Sequence, residues 1–179
     1  MRAWHVVERW DFRASQQFNR ANHHWVGQLF AVISRLGDGW IWFALMAVLP
    51  VVFGSRALAV SGWMLANGAL CTLLYKELKA HIHRARPCDA DPLIHLTVPP
   101  LDRFSFPSGH TLHAVSFSII VGYYYPALEW GLWPFTILVA LSRLVLGLHY
   151  LSDVLVGASL GAGMAALTIA VANTLGAGA

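Results

Sequence analysis

His149 and Asp153 stand four residues apart, with Ser142-Arg143 just upstream of them. On a helix that spacing puts the imidazole and the carboxylate on one face, within reach of each other. A carboxylate that accepts a hydrogen bond from one ring nitrogen leaves the other unprotonated and basic, aimed at an electrophile. By itself a His/Asp pair at this spacing is as often an ordinary structural contact. Lys76, Lys79, His83 and Arg86 follow one another at +3, +4 and +3, a cationic stripe along a helix that Pro87 would end. Such a stripe is commonly a solvated face, the reading adopted for Lys76. Lys79 and Arg86 have the alternative of facing an anion, the arginine by two-point contact with planar oxygens and the lysine as a point charge.

A third group is Pro107-Ser108-Gly109-His110. Ser108 can cap a helix, Gly109 lets backbone come close to a ligand, and free N–H groups at a helix start hold anions. His110 then falls in the first turn, beside any anion bound there. Asp89, Asp91 and Asp102 are scattered in the preceding loop without the convergence an oxygen-ligated cation needs, so no metal and no other cofactor is expected. His81, His83, His95 and His113 lack evident ligand partners, and His113 reads as a packing residue one turn after His110. Arg84 and Arg103 read as solvated loop residues, with an anionic headgroup as the alternative partner.

The elements that must position these groups are apolar helices. Of 179 residues 57% are hydrophobic and only 12% charged, about half the charge of a soluble domain. The mean hydropathy is +0.56. The net charge of +3 is small and dispersed, which argues against nucleic-acid binding. Five stretches approach the roughly 20 apolar residues of a membrane span: Asp38–Gly54, Ala57–Tyr75, His110–Pro126, Gly131–Leu148 and Leu151–Leu175. Gly54-Ser55-Arg56 and Pro126 to Gly131 supply tight turns between neighbours. The expected fold is all-α, a polytopic membrane bundle of about five transmembrane helices in one domain, 1–179.

Before the spans, residues 1–36 read as an interfacial segment, with Trp4, Val7, Trp10, Phe12 and Phe18 interleaved among Arg9, Asp11, Arg13 and Arg20. Met1–Arg20 has the pattern of neither a signal peptide nor a span. Trp25 to Leu36 is too short to cross and is expected to pack on the bundle. The longest polar connection, 76–107, contains five prolines and is expected to be an active-site loop rather than regular structure. Cys71 and Cys88 fall in different environments and are expected to be unpaired. The Ala/Gly-rich tail from Gly157 to Ala179 suits close helix packing in a bilayer.

Taken together, Lys79-x6-Arg86-Pro87, then Pro107-Ser108-Gly109-His110, then Ser142-Arg143-x5-His149-x3-Asp153, resemble the three-part signature of the type-2 phosphatidic acid phosphatase superfamily. The resemblance implies a membrane lipid phosphatase that needs no metal. In it His149 is the nucleophile that takes the phosphoryl group, Asp153 orients it, and His110 is the general acid. Lys79, Arg86 and Arg143 bind the phosphate oxygens, helped by Ser108 and Gly109. Candidate substrates are undecaprenyl diphosphate, phosphatidylglycerophosphate, phosphatidate and lipid A phosphates. Phosphoryl transfer is mostly positioning and charge stabilisation, which three cations can supply.

Five spans put the N-terminal segment, the long loop and the His149 junction on one side of the bilayer. Arg2, Arg9, Arg13, Arg20 and Arg35 share that side, against Arg56 on the other, which by the positive-inside tendency points to the cytoplasm. The resemblance implies the periplasmic side of a bacterial inner membrane, and that is the expectation carried forward. Competing readings are a lipid-to-lipid phosphotransferase of the same superfamily, a vanadate-dependent haloperoxidase, disfavoured by the spans, and a non-enzymatic helical transporter.

Overall fold

A computed structural model describes the backbone of residues 2–176 and the side chains from Val7 onward. The side chains of Arg2 and Trp4 and the end of the Ala/Gly-rich tail lie outside the described residues. The described chain is helical: α1 (Arg2–Asn19), α2 (His24–Leu36), α3 (Trp40–Phe53), α4 (Ala57–Ile82), a short α5 (Pro87–Ala90), α6 (Gly109–Tyr124), a 3-10 turn (Pro126–Leu128), α7 (Glu129–Val145) and α8 (Leu151–Thr174). Among the described residues there is no strand.

Three segments, Ala57–Ala90, Pro126–Val145 and Leu151–Thr174, are long and apolar enough to cross a membrane. The pair α2 and α3, bent by 50°, makes a fourth if it is one broken span. The expected first span is thus shorter than a bilayer by itself, because Gly37-Asp38-Gly39 breaks the helix before Trp40. The expected third span, α6, has 16 residues. It falls short of the usual span length, yet it is the centre of the bundle, wrapped by α4, α7 and α8. Its apolar residues therefore meet protein. Trp42, Met46, Leu49, Val60, Met64, Phe117, Ile120, Val121 and Val139 form the main core. Large apolar side chains on the outer faces, among them Trp40, Val51, Trp130, Ile137, Leu155 and Leu167, are exposed. That is the inside-and-outside apolar pattern of helices that meet lipid.

Two devices bring α4, α6 and α8 together. The first is the absence of side chains: a Cβ at Gly157 would stand 2.6 Å from the Ser108 carbonyl oxygen, and one at Gly161 would collide with the Leu112 carbonyl. Small residues at such crossings let helix backbones approach closely, as the tail composition suggested. The second is Asn67, 1% exposed, whose Nδ2 donates to the Met164 carbonyl (3.1 Å) and Thr168 Oγ1 (2.8 Å) while its Oδ1 accepts from Ser116 Oγ (2.6 Å). Interhelical bonds of this kind contribute about 0.6–2 kcal/mol each in a membrane.

Beyond the amphipathic interfacial pattern, the N-terminal region also has a polar face that meets the bundle. α1 turns a polar stripe inward, with Asp11, Ser15 and Asn19 at fourfold spacing all buried, and leaves Trp10 71% exposed. Asn19 Nδ2 donates to the carbonyls of His95 (2.9 Å) and Val145 (2.8 Å), and its Oδ1 accepts from the His95 N–H (2.7 Å). α2 does pack on the bundle as expected, against α7, with Ala31 beside Leu146 and Ser34 bonded to Arg143. Cys71 and Cys88 are both free.

Candidate active site

Each candidate residue sits where a helix begins or ends. Lys79 is in the last turn of α4, which stops because His83 adopts a left-handed conformation (φ 50°). Arg86 therefore follows the helix and does not continue a cationic stripe along it, which corrects the helical reading of 76–86. It immediately precedes Pro87, the first residue of α5. Ser108 caps α6 by position, but its Oγ pairs with Thr111 Oγ1 (3.0 Å) and not with backbone. His110 is in the first turn. Arg143 lies in the last turn of α7, nearer the helix end than the expected span boundary at Leu148 implied. Gly147, with φ +69°, then turns the chain so that the N–H groups of Leu148 and His149 both reach the Arg143 carbonyl at 3.1 Å.

His149 is thus in the junction before α8, and Asp153 is in the first turn of α8. The two do not share a helix face, contrary to the spacing argument. His149 Nδ1 lies 3.6 Å from Asp153 Oδ2 and has no hydrogen-bond partner. Instead Asp153 Oδ2 accepts the Tyr150 N–H (2.8 Å) and its Oδ1 accepts Arg84 Nη1 (2.6 Å). Arg86 Nη1 donates to His149 Nε2 at 3.3 Å. A guanidinium can only donate, so this contact assigns Nε2 the lone pair and leaves the ring proton on Nδ1, facing Asp153.

Main-chain bonds tie the segments to one another. Ser108 N–H donates to the Asp153 carbonyl (3.1 Å), Ser105 N–H to that of Arg84 (2.9 Å), and Cys88 N–H to that of Gly147 (3.2 Å). The result is one cavity of about 980 Å³, with Lys79, Arg86, Gly109, His110, Arg143 and His149 in its wall. The rest of its wall joins polar side chains, among them Asp38, Thr72, Tyr75, Lys76 and Asp102, to an apolar stretch from Trp42, Phe43 and Met46 of α3, Met64, Leu65 and Leu73 of α4, and Phe117 of α6. Ser108 and Asp153 stand just behind, fully buried.

Electrostatics follow from this crowding. Burial, and then the charges of Arg143, Arg86 and Lys79, push the His149 imidazole well below its ordinary range, so it is held neutral. The unfolded chain takes up that proton near about pH 6.5 and the folded chain does not, so stability falls as pH drops below that value. His149→Gln is expected to lose less stability than the parent between about pH 7.5 and 5. Thermal unfolding in detergent at the two pH values measures it, and equal losses would contradict it. Asp102 is pushed up by partial burial but held below the usual carboxylate range by Lys79 and Arg86.

Several participants were missed or misread from sequence. Asp102 is no bystander: its carboxylate accepts from Lys79 Nζ (2.7 and 2.9 Å) and Arg86 Nη2 (2.7 Å), and its carbonyl from Arg86 Nε (3.0 Å). Arg84 is not solvated. It bridges Asp11 Oδ2 (2.7 Å) and Asp153 while stacking on Tyr150 at 4.1 Å. Ser34 accepts a hydrogen bond from Arg143 Nη1, and Asp38 contacts His110 Nε2. Asp11, Ser34 and Asp38 carry no local motif, and their partners lie 72 or more residues away. His113 packs as expected, against Tyr75 and Phe117.

Residues 56–177 match the pattern of the PAP2 superfamily, a segment that contains every signature residue. Phosphatidylglycerophosphatase B of Bacillus subtilis is 32% identical over 151 residues, 76% of this chain and 70% of that protein. Decaprenylphosphoryl-5-phosphoribose phosphatase of Mycobacterium tuberculosis is 32% identical over 145 residues, 78% of this chain and 76% of that protein. The crystal structure of a transmembrane PAP2-type phosphatidylglycerolphosphate phosphatase from Bacillus subtilis superposes with a TM-score of 0.79 at 26% identity, covering 94% of this chain and 87% of that one. This chain is a member of the PAP2 superfamily, an all-helical integral membrane protein of that class.

Proposed function

We propose that the protein hydrolyses a lipid phosphate, a phosphomonoester or diphosphate of the phosphatidylglycerophosphate, phosphatidate or undecaprenyl diphosphate type, through a phosphohistidine on His149. The observation that carries this is the composition of one cavity, cationic around His149 Nε2 at one end and apolar along α3, α4 and α6 at the other. A phosphate fits the first and an acyl or isoprenoid chain the second. Both relatives named above carry names that put the phosphate on a lipid.

In this reading His149 Nε2 attacks phosphorus, the bond to the leaving oxygen breaks, and His110 gives that oxygen a proton. Asp153 faces the Nδ1–H and favours the imidazolium as the N–P bond forms. Arg86, Arg143 and Lys79 share the charge of the equatorial oxygens. Arg143 is suited to this, since its buried Nε has no protein partner. The phosphate takes the place of the Asp102 carboxylate on Lys79 and Arg86. Water, deprotonated by His110, then releases phosphate from His149. No metal takes part, so chelator leaves the rate unchanged.

The whole chain acts as one domain. α3, α4, α6, α7 and α8 are its five spans, with α1 and α2 at the interface and the site on the periplasmic side. An impermeant maleimide added to intact cells is expected to label Cys88 in the loop, with buried Cys71 as the silent control. Burial and Asp89 push the Cys88 thiol up, so mildly alkaline buffer is used. Labelling only after lysis would reverse the orientation.

Phosphate release by the detergent-purified protein, across phospholipid, isoprenoid and lipid A phosphates, tests the activity. Release from at least one, inhibited by vanadate, is expected. Transfer of phosphate to a second lipid without release would make the protein a phosphotransferase, and no phosphoryl chemistry on any of them would refute the reading.

A further inference from the structure

The superfamily match begins at residue 56, yet side chains that precede it bond to the residues at the polar end of the cavity or just behind them. Asp11 holds Arg84, which holds Asp153; Ser34 holds Arg143; and Asp38, in the break between α2 and α3, holds His110. We propose that Asp38 is a positioning residue for His110, orienting its ring and supplying the counter-charge that favours its protonated form as the leaving group departs. The inference rests on the general-acid role given to His110 above.

The geometry around His110 is asymmetric. Arg143 faces it from α7, His149 from the junction before α8 and His113 from the next turn of its own helix, with Lys76 and Lys79 of α4 in the same cavity wall. All of these are cationic or neutral, and none favours a second proton on the ring. Asp38 is the carboxylate in contact with it. His110 and Asp38 keep side-chain exposures of 12% and 27%, so the imidazole is shielded while the carboxylate keeps part of its hydration, and their attraction is partly screened.

With Nε2 bound to Asp38, the proton for the leaving oxygen comes from Nδ1. As the P–O bond breaks, its electron pair stays on oxygen and takes that proton, leaving neutral His110 hydrogen-bonded to Asp38. His110 then recovers a proton from the water that attacks the phosphohistidine, and Asp38 again stabilises the imidazolium. The site thus contains two imidazole–carboxylate pairs, His149 with Asp153 and His110 with Asp38, and only the first lies within the superfamily segment.

Dodecyl phosphate and S-dodecyl phosphorothiolate separate this role from a structural one. They share a tail and a phosphoryl group, but the thiolate leaves without protonation. Asp38→Asn is expected to slow dodecyl phosphate about 100-fold, the lower range for general acid catalysis, and the thiolate less than about fivefold. Asp38→Glu, which keeps the charge, is expected to restore most of the first rate. Equal losses on the two substrates, or no loss on either, would overturn the proposal. Thermal unfolding identifies a misfolded variant, in which case Asp38→Ser is used with and without formate. Selective rescue of dodecyl phosphate by formate supports the role, and no rescue refutes it. His149→Ala separates the two levels: it should abolish both reactions, and its failure to do so would sink the parent reading regardless of Asp38.

Discussion

Replacing His149 with alanine is expected to lower turnover of a lipid phosphate by about four orders of magnitude or more, the scale seen when a covalent nucleophile is removed. His149 is 1% exposed, yet Arg86 Nη1 retains the Leu148 carbonyl (2.6 Å) and Asp153 retains Arg84 when the ring is gone. The variant should therefore fold with a thermal midpoint close to that of the parent, and the loss should appear in kcat. Phosphate release from the best substrate of the panel, measured beside unfolding in the same detergent, checks both parts. Hydrolysis at a near-parental rate would remove His149 from the chemistry.

The second large effect is expected at Arg86, which is 1% exposed and reaches four acceptors: the Leu148 carbonyl, His149 Nε2, and the carbonyl and carboxylate of Asp102. Arg86→Met leaves the Leu148 carbonyl, His149 Nε2 and the Asp102 carbonyl without this donor, while the Asp102 carboxylate keeps Lys79. Breaking a fully buried pair costs about 3–5 kcal/mol. Asp102 is 42% exposed, so the loss here should fall below that range. Turnover should drop by about 100-fold or more, as when one preorganised donor to the reacting group is removed. Arg86→Lys should not rescue it, because an ammonium cannot span the fork from Leu148 to Asp102. A lysine variant with parental rate and stability would show that only charge is needed at this position.

What the sequence made legible was the cationic and imidazole part of the cavity lining. Lys79, Arg86, His110, Arg143 and His149 all line the cavity, and each was recognisable from its neighbours in the chain. The helical class was legible too, from apolar run length. Helix ends were less so. The left-handed turn at His83 and the glycine turn at Gly147 place Arg86 and His149 outside helices, and periodicity carries no sign of either. α6 was read as a span from its composition, but its buried position comes from the helices around it.

The supporting residues were invisible for a different reason. Asp102 reads as a loop acid until the fold brings it 2.7 Å from Lys79. Arg84 reads as solvated until α1 delivers Asp11. α1 looked like an interfacial helix because its tryptophans and arginines dominate the pattern. The four-residue spacing of Asp11, Ser15 and Asn19, a polar stripe on an otherwise mixed helix, was the available signal that this helix has a polar partner to meet.

Rapid-quench trapping with a radiolabelled lipid phosphate tests the central claim most directly. The account predicts a transient phosphoenzyme, labile in acid and stable in base, with its label mapping to His149. It should be lost in His149→Ala. Label on another side chain, or turnover at full rate with no labelled protein at any quench time, would contradict it.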